Sequence, residues 1–202
     1  MCTDTFLRLP EEKRNRFLEA AWAEFTSVPF EEASINQIVH RARVPRGSFY
    51  QYFSDKEDLF FYLQSSMMLH FLEEYRKILM QYDGDFFQTQ LWCFDRVTRR
   101  EVTDPLFLRG VEILRLNPVL LLRVIGEERL VLLMWEAVRE QADTASFQDP
   151  EQAREAFILS LTAMVMNVTD AMARPQQAES CRRELLIRLD ILKRGSAKRD
   201  ER

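Results

Sequence analysis

The chain has 202 residues, of which 30% are charged and 47% hydrophobic, and its formal net charge is -4. That length supports a well-developed core and one large or two small domains. With only 5 Gly and 7 Pro among abundant Leu, Ala, Glu, Arg and Met, the composition predicts an all-α protein. Cys2, Cys93 and Cys181 are scattered in no metal-binding spacing, with only His40 and His70 besides, which argues against a zinc site. They suit a reducing, cytoplasmic setting, and the N-terminus lacks a basic-then-apolar signal segment. No Ser-His-Asp set, glycine-rich phosphate loop or His-plus-carboxylate metal pattern occurs in the sequence. The chain therefore reads as a non-enzyme without a cofactor.

In chain order, the first informative run is Ser34 to Leu59. Ser34 suits a helix N-cap, its hydroxyl accepting from a backbone N–H of the first turn. Ile35, Ile38, Val39 and Ala42 then repeat at the 3–4 spacing of one buried helix face. Val44-Pro45 interrupts that helix, and a second short helix follows in which Phe49 and Phe53 face inward. Arg46, Gly47, Ser48, Tyr50 and Gln51 are left outward, the side chains needed to meet phosphates and base edges. Tyr52 is open to either side. The arrangement predicts a helix-turn-helix. Residues 34–56 contain Arg41, Arg43, Arg46 and Lys56 against Asp55 alone, whereas residues 1–33 hold four basic and seven acidic groups. Such a small, local basic footprint fits a site-specific binder better than a protein that coats nucleic acid.

Ser54 and Asp55 then cap a long helix to about Tyr82, with Leu59, Leu63, Met67, Phe71 and Ile78 as its buried stripe, and Asp83-Gly84-Asp85 closes it. A helix near 86–102 is expected next, then one from Asp104-Pro105 to Asn117. Another should run from Asn117-Pro118 to about Ala142. Its most apolar part, Val119 to Trp135, contains Arg123, Glu127, Glu128 and Arg129, so it reads as a buried helix and not a membrane span. After a loop from Asp143 to Asp149, Pro150 opens a helix to about Ala173, and Arg174-Pro175 breaks the chain before a last helix at 178–194. The domains expected are 1–55 for the helix-turn-helix, 56–195 for a helical second domain and 196–202 for a charged tail.

The run Val44-Pro-Arg-Gly-Ser-Phe-Tyr-Gln-Tyr-Phe-Ser-Asp-Lys-Glu-Asp-Leu59 resembles the signature of TetR-type transcriptional regulators, and Phe17 to Phe25 looks like their first, supporting helix. The resemblance covers roughly the first sixty residues. It implies a three-helix DNA-binding domain followed by a helical ligand-binding and dimerisation domain. Position by position, it implies a phosphate contact from Ser34 and DNA contacts from Arg46, Gly47 and Ser48. It implies further contacts from Tyr50 with Gln51 and Tyr52 beside it, and a phosphate held by Lys56. Arg43 and Pro45 are two departures within the same DNA-facing turn. Arg43 stands where the family usually has glycine, and a left-handed backbone there would cost about 1 kcal/mol. Pro45 stands where a serine often supplies a phosphate contact.

The resemblance also implies that the last two helices pair with their copies in a homodimer, as a four-helix bundle. Phe157, Leu161, Met164 and Val168 on one helix, with Cys181, Leu185, Leu189 and Leu192 on the next, are the expected interface. Leu186, Ile187 and Ile191 widen the final stripe beyond a single seam. A twofold dimer places two recognition helices about 34 Å apart on a double-stranded operator. The middle helices are expected to enclose a small apolar or amphipathic effector. Phe86, Trp92, Phe94, Phe107, Met134, Trp135 and Met164 are its candidate lining, with His70 and Arg115 as polar contacts. The competing class is a helical interaction or ligand-binding protein without DNA binding, which needs no exposed Arg-Gly-Ser-Phe-Tyr-Gln helix after a tight turn.

Overall fold

The computed structural model describes residues 2–99, 104–117, 119–120 and 128–196. Among them every regular element is helical and no strand occurs. α1 (Asp4–Leu7) starts behind Thr3, whose hydroxyl accepts from the Phe6 N–H. α2 covers Glu11–Phe25, longer than the expected Phe17–Phe25, with Glu11 and Glu12 placed to favour its positive end. α3 (Ile35–Ala42) and α4 (Arg46–Tyr52) are the two short helices expected, and α5 is Lys56–Gln81.

α5 ends where Asp83 and Gly84 turn left-handed, with φ of 52° and 82°. A Cβ on Gly84 would strike the backbone of Asp143 and lie 2.6 Å from the Gln141 carbonyl, so only glycine fits. α6 is Phe86–Arg99; its expected end at 102 lies outside the described residues. Asp104 caps α7 (Pro105–Leu116) by accepting from the Phe107 N–H at 2.8 Å. Of the helix expected over 118–142, α8 (Glu128–Val138) is the described part; residues 121–127, with Arg123 and Glu127, lie outside it. Asp149 caps α9 (Pro150–Ala173), and a short 3-10 turn at Pro175–Gln177 leads into α10 (Ala178–Ser196). The expected tail lies outside the described residues beyond Ser196.

Two compact units result: Met1–His70 with Asp104–Asn117, and Phe71–Thr103 with Pro118–Arg202. The first is larger than the 1–55 domain expected, because it takes in the front of α5 and all of α7. In its core Phe6, Phe17, Phe49 and Phe53 are fully buried, with Phe6 and Phe53 ring centres 4.8 Å apart and Phe17 stacked on Phe53 at 5.9 Å. α7 joins through Arg109, whose guanidinium forks onto the Glu19 carboxylate at 2.9 and 2.5 Å and lies over the Trp22 ring. Gly110 lets α7 close on α5, since a Cβ there would run into the Met67 sulfur. The Asn117 side chain accepts from the Phe30 N–H at 2.8 Å.

In the second unit α9 packs against α6, α8 and α10. α9 is long and apolar enough to cross a membrane by length and composition alone, and here it serves as the core helix of its unit. α6 and α10 are tied by an Arg182 fork onto Asp95 at 2.7 and 2.9 Å and by Lys193 on Asp85 at 2.5 Å.

This packing already occupies most of the side chains expected at the interface. Phe157, Leu161 and Val168 of α9 and Cys181, Leu185 and Leu189 of α10 are buried within the single chain. The two helices turn those stripes toward each other and toward α6. Met164 and Leu192 are half-buried. The apolar side chains left outward are Leu159, Met166, Leu186, Ile187 and Ile191, which lie beside the expected stripes.

Candidate nucleic-acid interface

α2 holds α3 at both ends. The buried Glu24 carboxylate accepts from the Ser34 N–H at 3.0 Å and stands 3.7 Å from Arg41. At the other end Arg16 donates to the Ala42 carbonyl at 2.9 Å. An acid at the N-terminal end and a base at the C-terminal end each oppose the helix's partial charge. Ser34 is the N-cap residue as expected, but its hydroxyl makes no capping bond. Glu24 supplies an acceptor there from another helix.

The turn follows from Arg43, which adopts φ 54° and ψ 47°. In that conformation the Arg43 N–H reaches the His40 carbonyl at 3.1 Å and the Val44 N–H reaches Val39 at 3.0 Å. The left-handed state at a non-glycine residue, anticipated from the departure at this position, is the one observed, at a cost of about 1 kcal/mol. Val44 is buried, which anchors the turn, and the exposed Pro45 begins α4 in extended conformation with its carbonyl accepting from Ser48.

On α4 the inward side is aromatic. Phe49 has no exposed surface. Tyr52, three residues on, shares that side, edge-on to Phe17 at 5.5 Å and 5.7 Å from Phe6. Tyr52 is therefore core and leaves the expected set of DNA contacts. Arg46, Gly47, Tyr50 and Gln51 are exposed, and Ser48 is half-buried. A side chain on Gly47 would meet nothing within 4 Å, so the backbone there is bare. Arg46 reaches back to the Asn36 side chain on α3 and forward to the Tyr50 hydroxyl at 3.4 Å. These residues border a cleft of about 300 Å³ lined by Ala33, Ser34, Ile35, Asn36, Arg46 and Lys56.

Lys56 is engaged within the chain. Its ammonium donates to the carbonyls of Phe30, Glu31 and Ala33 at 2.8, 3.2 and 3.2 Å and sits 4.5 Å from the Phe30 ring centre. An ammonium has three N–H groups, and all are spent on the chain that enters α3. Lys56 thereby holds the backbone carbonyls of Phe30 and Glu31 in the 3-10 turn and that of Ala33.

Sequence reasoning missed α1. The Thr3 N–H donates to the Tyr52 carbonyl at 3.0 Å and its hydroxyl to the Gln51 carbonyl at 2.6 Å. Both carbonyls belong to the end of α4, where helical partners run out. The signal was present in Thr3, a good cap residue, set three positions before the apolar Phe6.

The residues expected to share a pocket divide between the units. His70, Phe107 and Arg115 belong to the first. There His70 Nε2 lies 3.1 Å from Asp104, and the exposed Arg115 pairs with Glu112 at 2.8 Å. Both are satisfied locally, and Phe107 is core. In the second unit Phe86, Phe94 and Trp135 are buried, Met134 and Met164 half-buried, and Trp92 carries the Arg96 guanidinium 4.8 Å from its ring centre. Among the described residues no group of three His, Cys, Asp or Glu could hold a metal ion.

Two short helices joined through a left-handed residue and braced by a third define a helix-turn-helix module. Residues 17–63 match the model of the bacterial regulatory proteins of the tetR family. The HTH-type transcriptional regulator HbdR of Aromatoleum sp. (strain CIB) is 39% identical over 54 residues. That match spans 27% of this chain and 24% of HbdR, about a quarter of the relative's length. A TetR transcriptional regulator from Rhodococcus sp. RHA1 shares the fold with a TM-score of 0.51 at 14% identity, over 93% of this chain and 100% of that one. A TetR family transcriptional regulator from Chloroflexus aurantiacus J-10-FL aligns at a TM-score of 0.45 and 22% identity, over 98% and 100% of the two chains.

Proposed function

We propose that this chain is a cytoplasmic transcriptional repressor that binds a palindromic double-stranded operator as a homodimer and releases it on binding a small effector. The observation that carries the reading is the outward face of α4. Arg46, Gly47, Tyr50 and Gln51 project from a helix whose opposite side is locked by Phe49 and Tyr52. A rigid base with a polar, arginine-bearing face is what direct readout of a major groove requires. Arg46 and Tyr50 read base edges or phosphates, the cleft beside Ser34 and Asn36 receives a phosphate, and Lys56 acts by positioning the approach to α3.

The dimer forms through Leu159, Met166, Leu186, Ile187 and Ile191, the apolar residues that α9 and α10 leave exposed. On a helix that also carries arginines and glutamates, such a stripe favours a second apolar surface. The effector binds in the second unit, and α5, continuous from the first unit into the second, carries the response. Selection of DNA fragments retained by the purified protein from a random pool tests the reading. A palindromic consensus with half-sites about one helical turn apart is expected; recovery of unselected sequence at every salt concentration would contradict it.

A further inference from the structure

Most buried polar side chains of the second unit satisfy themselves on their own helix. Thr89 donates to Asp85, Ser160 to Phe157 and Asn167 to Ala163, each onto a backbone carbonyl three or four residues earlier. Gln90 behaves differently. Its side chain, with no exposed surface, reaches from α6 to α5 and donates from Nε2 to the Tyr75 hydroxyl at 3.2 Å, while Oε1 has no partner. Exchanging the amide's O and N would leave two N–H donors unpaired instead, so one end of the group stays open in either orientation. An unpaired amide in a buried interior is costly to keep. Leucine would fill the same volume without that cost.

The Gln90 partner Tyr75 sits among aromatic rings. Tyr75 lies edge-on to Phe157 at 6.3 Å, and Phe157 in turn touches Phe86 at 5.7 Å and Trp135 at 5.3 Å. Burial raises the Tyr75 hydroxyl well above its ordinary pKa and pushes the Cys93 thiol up to about 12. Both stay protonated. The locality is aromatic, with one amide oxygen and one hydroxyl for hydrogen bonding, and the nearby Asp85 carboxylate is held by Lys193.

We propose that Gln90 and Tyr75 form the polar end of the effector site, recognising a neutral aromatic molecule that bears a hydroxyl group. The ligand's O–H donates to Gln90 Oε1, its oxygen accepts from the Tyr75 hydroxyl, and its rings lie against the aromatic side chains beside Tyr75. This inference rests on the effector-responsive reading above and specifies its ligand.

Matched probes test it: phenol against toluene, and 2-naphthol against 2-methylnaphthalene. Within each pair the apolar body is the same and only the donor changes. For the wild-type protein the hydroxyl probe is expected to raise the melting temperature several degrees more than its methyl counterpart. Gln90→Leu, with Gln90→Met as a second variant, is expected to melt no lower than wild type without ligand and to lose the preference for the hydroxyl. Absence of any hydroxyl preference in the wild type would overturn the proposal. So would Leu and Met variants that melt lower and keep the preference, the behaviour of a purely structural glutamine. Operator binding measured alongside separates the two readings: hydroxyl-selective binding that leaves DNA affinity unchanged removes effector control and keeps the site.

Discussion

Leu185 and Ile187 sit two residues apart on α10 and face opposite sides of it, Leu185 with no exposed surface and Ile187 with 58% exposed. Two positions are about 200° of rotation on a helix. One side chain therefore belongs to the chain's own core and the other to whatever covers α10. Leu185→Glu should unfold the protein, since an unpaired buried charge costs several kcal/mol. Ile187→Glu with Ile191→Glu should leave the far-ultraviolet circular dichroism unchanged while shifting sedimentation from dimer to monomer. A double variant that still sediments as a dimer would remove this face as the interface.

The last two helices also mark how far the sequence carried. Their boundaries were legible because Asp149-Pro150 and Arg174-Pro175 punctuate the chain. The direction of their stripes was not, because α9 is apolar nearly all round. Periodicity identifies a buried face but does not say whether an intrachain or an intersubunit neighbour buries it. The helix-turn-helix was legible down to the strained Arg43, since inward Phe49 and Phe53 fix the outward set. The role of Lys56 was hidden, because its partners are backbone carbonyls 23 to 26 residues away, which no side-chain pattern encodes.

Lys56→Ala should therefore act on stability more than on charge recognition. Losing three carbonyl partners at the approach to α3 should cost about 1–3 kcal/mol, measured by urea denaturation. The slope of operator affinity against salt should stay as in wild type. A slope lowered by about 0.9 with stability unchanged would instead show a direct phosphate contact.

Arg43→Gly should relieve the left-handed turn and stabilise the protein by about 0.5–1 kcal/mol, with the extra freedom of glycine in the unfolded chain offsetting part of the gain. The urea midpoint checks this. The reverse experiment at Gly84, where Ala would meet the backbone of Gln141 and Asp143, should lower the midpoint.

Asp104 gives a pH dependence of known sign. The Phe107 N–H, followed by the nearby His70, holds its carboxyl below the ordinary value despite partial burial. A carboxyl depressed in the folded state adds stability above its unfolded pKa, and that stability is lost as pH falls through the folded value. Unfolding followed from pH 7 downward should show this loss only in the acid range beneath the ordinary carboxylate pKa. Asp104→Ala should cost about 1 kcal/mol at neutral pH as a lost helix cap and flatten that part of the acid profile.

The central claim, that the outward face of α4 reads DNA, is tested most directly by the affinity of Tyr50→Ala for an operator selected with the wild-type protein. Tyr50 is 50% exposed, so the variant should fold and melt as the wild type does. Its operator binding should weaken by about 1–3 kcal/mol, with a smaller loss on unselected DNA. Wild-type affinity for both DNAs, in a variant shown to be folded, would contradict the account.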